Sequence, residues 1–203
     1  MLEQEPGHTT DRSLYIVRHA ECTDNASNVL NGRRNTFLTE KGTKQARQTG
    51  QELKQSGIKI DRIYMSPQVR AQQTALIIAR TIGIPYPKIE ICEELQERDF
   101  GILTGKSISE VDRYATKILP TDHIRYFLEA PQAENFDSVR KRAQIFLSRL
   151  RSARNSDTSL VVTHGDIGTM IVAEIMGLDT ETALRNVYIG NSEYIPYTLP
   201  VTN

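Results

Sequence analysis

The sequence predicts an α/β fold with a largely parallel sheet, and three observations carry that reading. Short β-branched apolar runs alternate with longer amphipathic stretches, the pattern of successive strand–helix–strand units. Three of those junctions bear Arg, His or Ser directly after the strand. The stretch 107–135 fits neither pattern and is expected to form a cap over the strand ends, where ligands bind in open α/β sheets.

Residues 1–12 are polar and acidic and are expected to form a flexible tail before a single domain spanning 13–203. Leu14-Tyr15-Ile16-Val17 suits a buried strand. It ends in Arg18-His19-Ala20-Glu21, and a polar loop follows as far as Leu38. Thr39 is placed to N-cap a helix to about Gln55, closed by Gly57. Asp61 to Met65 is a second strand, with Pro67 expected in the first turn of the next helix. That helix reaches Ile82, stops at Gly83, and turns Ala71, Ala75, Ile78, Ala79 and Ile82 toward a sheet.

Lys88 to Cys92 is a weaker strand, and Glu93 to Gly105 has the composition of a loop. Ser107 to Ala130 carries an irregular helical pattern, so the cap is expected to be helical. Phe136, Val139, Ala143, Phe146, Leu147 and Leu150 form the cleanest amphipathic stripe in the chain. Ser159 to Thr163 is a further buried strand, ending in His164-Gly165. A helix from Asp166 to Met176 follows, stopped by Gly177. Asn186 to Ile189 and Glu193 to Leu199 read as two closing strands. The last belongs at an edge, because Pro196 cannot donate to a ladder.

Composition excludes several function classes. In 203 residues, 38% hydrophobic and 25% charged side chains supply a sizeable core and argue against disorder. Lys plus Arg and Asp plus Glu balance at 25 each, so no global attraction to nucleic acid or anionic membrane is expected. Apolar runs fall far short of the roughly 18 residues that a spanning helix needs. The first residues show neither a basic nor an apolar signal region, so no secretory signal is expected. Cys22 and Cys92 form no disulfide framework and have no metal-type spacing. A cytoplasmic protein is expected.

The chemistry gathers at three junctions: Arg18-His19, Ser66-Pro67-Gln68-Val69-Arg70, and His164-Gly165. Each alone is what a surface turn, a solvated cation or a hydrogen-bonded structural histidine would show. The carboxyl ends of parallel strands share one sheet edge, however, so these groups can converge. Two arginines and two histidines beside helix N-termini suit a dianionic phosphate, through forked donors and free helix N–H groups. Four histidines without His-x-x-x-His spacing make a catalytic metal a poor expectation, and no glycine-rich nucleotide loop is present. Neither metal nor cofactor is expected.

Five motifs occur in order. They are Arg18-His19-Ala20-Glu21, Leu38-Thr39-Glu40-Lys41-Gly42, Ser66-Pro67 with Arg70-Ala71-Gln72-Gln73-Thr74-Ala75, Leu95-Gln96-Glu97-Arg98-Asp99-Phe100-Gly101, and Val162-Thr163-His164-Gly165. Together they resemble the histidine phosphatase superfamily, which contains cofactor-dependent phosphoglycerate mutases and many phosphomonoesterases. The resemblance spans about Leu14 to Leu199. It implies a three-layer sandwich: a mostly parallel central sheet with one antiparallel strand, helices on both faces and the cap insertion.

The resemblance also implies roles. His19 would attack phosphorus, while Arg18, Arg70 and His164 would surround the phosphoryl oxygens and the Gly165 N–H would add a donor. Glu97 would be the general acid, with Glu93 and Glu94 as rivals that sequence separates poorly. Asn25, Asn31 and Gly32 fall at substrate-contacting positions, and Glu21 would orient the loop. Arg33 and Arg34 could attract a second anionic group of the substrate, with His123 and Arg125 as further anion contacts.

Three departures stand out from the family pattern. Ala20 replaces the commoner glycine, Cys22 stands where a hydroxyl often donates to phosphate, and Gln132-Ala133-Glu134-Asn135 replaces a Gly-Gly-Glu-Ser turn. The implied activity is a metal-independent phosphomonoesterase acting on a small phosphate ester. The alternatives are a bisphosphoglycerate-dependent phosphoglycerate mutase and a non-catalytic module of the same fold. The short stretch after the last strand is expected to give no lid of the kind that shields a mutase site. The edge strand near Glu193 to Leu199 offers a pairing surface for a homodimer.

Overall fold

A computed structural model describes residues 12–152 and 157–200; most of the expected tail, with His8, lies outside the described residues. Arg12, placed in that tail from sequence, is instead the first residue of β1 (Arg12–Arg18). A loop containing a short helix, α1 (Thr23–Ala26), leads to α2 (Glu40–Gln55), whose N-cap Thr39 accepts the Gly42 N–H at 2.9 Å. β2 (Arg62–Met65), α3 (Val69–Ile82) and β3 (Ile89–Ile91) complete the first half. Pro67 lies outside the first turn of α3, because Gln68 takes the extended N-cap position and the helix begins one residue later.

The cap departs from expectation. After a short helix, α4 (Val111–Tyr114), it forms an antiparallel hairpin of β4 (Lys117–Pro120) and β5 (Arg125–Glu129). The hairpin wins because it buries residues on both faces: the cross-strand pair Leu119 and Tyr126 joins the main apolar cluster, while Phe127, on the opposite face, packs with Leu103 and Val111. The chain continues through α5 (Phe136–Ser152), β6 (Ser159–Thr163) and α6 (Gly165–Met176). It closes with α7 (Thr180–Asn186) and β7 (Tyr194–Leu199). The expected strand at Asn186 to Ile189 does not form. Asp179 caps α7 by accepting the Thr182 N–H at 2.9 Å, and Val187 and Ile189 bury their side chains without a ladder partner.

The main sheet has the order β3-β2-β6-β1-β7. β1, β2, β3 and β6 pair in parallel and β7 pairs antiparallel to β1 at the edge, with Pro196 opposite Tyr15. One apolar cluster joins the sheet to α5 and α6 through Leu14, Ile16, Val139, Phe146, Val161 and Ile171. Another joins it to α2 and α3 through Val17, Leu53, Ile63, Ala71, Ala75 and Ile78. Helices therefore cover both faces. A third, smaller cluster of Leu103, Val111 and Phe127 holds the cap. Among the described residues, no helix is long and apolar enough to cross a membrane.

Candidate active site

β6 lies between β1 and β2, so the carboxyl ends of these three strands are neighbours. The ladder continues just past them: His19 N donates to Thr163 O at 2.9 Å, and Ser66 N donates to Val162 O at 3.0 Å. His19, Ser66 and His164 thus meet although the chain separates them widely. The rings of His19 and His164 lie 5.1 Å apart at 59°.

His19 is almost fully buried. Its Nδ1 lies 2.8 Å from the Ala20 carbonyl, and its Nε2 receives a hydrogen bond from Arg70 Nε at 3.0 Å. Burial, then the charges of Arg70 and Arg18, hold His19 well below the ordinary histidine range. His164 is also held well below that range, by burial and then by Arg70. Its Nε2 lies 2.7 Å from Ser66 Oγ, and its Nδ1 is buried without a partner.

Arg70 is wholly buried. Its terminal nitrogens donate to Arg34 O at 2.7 Å and Gly32 O at 3.0 Å, which leaves Nε facing His19. Arg18 donates from Nη1 to Ile189 O at 3.1 Å, while its Nε is buried without a partner. A Cβ built on Gly165 would stand 3.7 Å from Glu97 Oε2 and 3.9 Å from Arg18 Cζ, so Gly165 floors the space between them.

Glu97 is buried at this same end. Its Oε1 accepts from Arg98 N at 2.9 Å, and the N–H groups of Asp166 and Ile167 at the start of α6 each reach its carboxylate at 3.4 Å. Burial, then the neighbouring Asp166 charge, raise the Glu97 carboxyl above the usual range. Glu93 is exposed and accepts from Gln96 at 2.7 Å. Of the three rival glutamates, only Glu97 lines the cavity.

That cavity, of about 470 Å³, opens from Arg18, His19, Arg70, Glu97 and Gly165 toward the cap. Asn25, Asn31, His123 and Arg125 also line it. Gly32 does not: its carbonyl accepts from Arg70 and from Gln68 Nε2, so it braces the site from behind. Arg33 and Arg34 also stand outside it, because Arg33 pairs with Glu134 at 3.1 Å and Arg34 with Asp24 at 3.2 Å. Buried Cys22 lies between two asparagines, donating to Asn25 Oδ1 at 3.1 Å and accepting from Asn31 Nδ2 at 3.0 Å. Glu21 holds Thr39 and Lys41, at 2.9 and 2.6 Å.

Three contributing residues escaped the sequence reading. Gln68 accepts the Glu97 N–H at 2.7 Å and donates to Gly32 O, tying two loops together. Asn191 Nδ2 donates to His19 O at 2.9 Å. Arg98 pairs with Asp166 at 2.6 Å, its guanidinium 4.1 Å from the Phe127 ring centroid. Position within the Ser66–Arg70 and Leu95–Gly101 motifs was the only available signal for Gln68 and Arg98. Asn191 had only a turn-like Gly190-Asn191-Ser192. Among the described residues, no group of three or more His, Cys, Asp and Glu could hold a metal ion.

The sequence profile of the histidine phosphatase superfamily (branch 1) matches residues 14–195. A protein of Hydrogenobacter thermophilus named "Putative phosphoserine phosphatase 2" is 32% identical over 184 residues, 89% of this chain and 86% of its own length. A Methylobacterium protein named 2,3-bisphosphoglycerate-dependent phosphoglycerate mutase is 32% identical over 177 residues, 85% of this chain and 84% of its own. A mycobacterial glucosyl-3-phosphoglycerate phosphatase shares the fold, with a TM-score of 0.75 at 19% identity, over 91% of this chain and 90% of its own. With the fold, the motifs and the profile in agreement over nearly its whole length, the chain belongs to the histidine phosphatase superfamily.

Proposed function

We propose that the protein is a metal-independent phosphomonoesterase that works through a phosphohistidine on His19. The observation that carries this reading is the gathering of Arg70, Arg18, His164 and Gly165 beside one buried imidazole. Arg70 Nε is bonded to His19, Arg18 Nε and His164 Nδ1 lack partners, and Gly165 lies beside them. Leaving buried polar groups unsatisfied costs about 1–3 kcal/mol each, and phosphoryl oxygens would offset that cost where a proton is available to share.

In the first step the His19 Nε2 lone pair forms an N–P bond as the ester P–O bond breaks. Glu97, its carboxyl raised by burial and Asp166, gives its proton to the departing oxygen. Arg70 Nε–H then turns from the ring nitrogen to a phosphoryl oxygen, so charge is stabilised as it moves. In the second step the Glu97 carboxylate takes a proton from water, and the water oxygen attacks phosphorus. The N–P bond breaks, and inorganic phosphate leaves.

A mutase is the second reading, favoured by relatives at about the same identity that bear that name. It needs a carboxylate and a second phosphate to be held, and the two arginines expected for that task are paired with Glu134 and Asp24. Balanced charge and two buried free thiols accord with a cytoplasmic enzyme. Its open β7 edge is a surface through which two copies could pair, which light scattering in solution reads directly.

Acid quenching during turnover of an aryl phosphate tests the proposal. An acid-labile phosphoenzyme is expected in the wild type, with both labelling and turnover abolished in His19→Ala. Absence of label together with absence of turnover across many esters would remove the enzyme reading. Interconversion of 2- and 3-phosphoglycerate much faster than phosphate release would establish the mutase instead.

A further inference from the structure

Beyond the phosphate end, the cavity is walled mainly by apolar and aromatic side chains: Val29 and Leu30 from the first loop, Ile108 and Val111 from the cap, with Tyr126 and Ile189. Three large apolar residues stay exposed at its mouth, Ile108 at 52%, Ile124 at 37% and Tyr188 at 37%. Scattered exposed apolar residues need no explanation, but several around one concavity mark a ligand site. The His123 ring stacks on Tyr188, with centroids 4.7 Å apart and planes 17° apart, and so extends a flat wall at the same mouth.

The charges point the same way. Arg125, the cavity-lining cation contributed by the cap, holds both carboxylate oxygens of Asp112, at 2.7 and 3.0 Å. Arg98, behind the wall, is committed to Asp166. The cations left for a ligand are therefore Arg18 and Arg70, at the phosphate end. A second anionic group would meet mainly Val29, Leu30 and Ile108, with Arg125 already shared with Asp112 in an exposed pair.

We infer that the leaving group recognised here is an uncharged, ring-bearing alcohol or phenol, so that the substrate carries its phosphate as its single anionic group. This rests on the phosphatase reading and narrows it. Short carboxylate-bearing esters, such as phosphoglycerate and phosphoserine, are then poor ligands.

Binding of phosphonates that cannot be hydrolysed separates this inference from the chemistry. Titration calorimetry would compare ethylphosphonate, 2-phenylethylphosphonate and 3-phosphonopropanoate. The ring compound is expected to bind at least about tenfold more tightly than ethylphosphonate, the worth of burying much of one aromatic ring. The carboxylate compound is expected to bind no better than ethylphosphonate. In Ile108→Ala/Ile124→Ala, changed only at exposed mouth positions, the advantage of the ring should shrink severalfold. A ring that gains nothing, a carboxylate that binds more tightly, or no binding by any of the three would overturn the inference. Turnover of the matching esters is measured separately. If they bind as expected and are not hydrolysed, the phosphatase reading fails while the recognition stands.

Discussion

Arg70 can only donate, so its Nε–H to His19 Nε2 requires a lone pair there and places the ring proton on Nδ1, where Ala20 O accepts it. Burial beside two arginines keeps that ring neutral, so the lone pair is available at neutral pH. Glu97 is tuned the opposite way: burial and Asp166 keep its proton on at pH values where an ordinary carboxyl has lost it. Leaving-group protonation matters most when the departing oxygen is basic. Glu97→Gln should therefore lower kcat/KM, which reports the steps up to leaving-group departure, by about a hundredfold or more for an alkyl phosphate and by less than about tenfold for p-nitrophenyl phosphate. The wild-type alkyl rate should also fall as pH rises through the raised Glu97 pKa, and that limb should be missing from the variant. Equal losses of kcat/KM on the two esters would remove Glu97 from the acid role.

At the scale of elements, the seat of α2 is fixed by backbone contact rather than helix propensity. A Cβ at Gly42 would fall 1.9 Å from the Glu21 carbonyl oxygen, in the loop that follows His19. Alanine is the better helix former by about 1 kcal/mol, yet Gly42→Ala should destabilise by about 1–3 kcal/mol in urea unfolding, because backbone must move. The link between cap and sheet is the Arg98–Asp166 pair among the rings of Phe100, Phe127 and Phe136. Arg98→Met strands the Asp166 charge and should cost about 3–5 kcal/mol, and adding Asp166→Asn should recover a good part of it. The same contrast separates what was legible in the sequence from what was not. β1, β6, α3 and α5 follow a single periodicity, so their residues declare them. The cap hairpin has strands too short to show alternation, and Asn186 to Ile189 is apolar enough for a strand but has no neighbour left to pair with. His19, Arg70, Glu97 and His164 were visible because strand ends and motifs marked them. Gln68 and Asn191 were not, because an amide in a loop acquires a role only when the fold supplies its partner.

Taken as a whole, the molecule stores its binding capacity as buried groups in the wrong ionisation state for water, and this makes its stability depend on pH. In the unfolded chain His19 and His164 titrate near 6.5; in the folded protein both sit well below that value. As pH falls below about 6.5, the unfolded state gains two protons that the folded state refuses, so stability present above that pH is progressively lost. Between pH 7 and 5.5 the two imidazoles together should cost about 2 kcal/mol. Glu97 acts in the opposite sense. Its folded pKa is raised, so its contribution is complete below the unfolded carboxyl pKa and is lost as pH rises through the folded value. Acidification therefore removes stability at the histidines while returning part of it at Glu97, and two groups outweigh one. Urea midpoints measured without phosphate should fall from pH 7 to pH 5.5 in the wild type and fall further in Glu97→Gln, where the opposing proton uptake is gone. A midpoint that is flat in both proteins would mean that the two rings titrate in the folded state much as they do in water. The neutral imidazole at the base of the cavity would then not be the resting form.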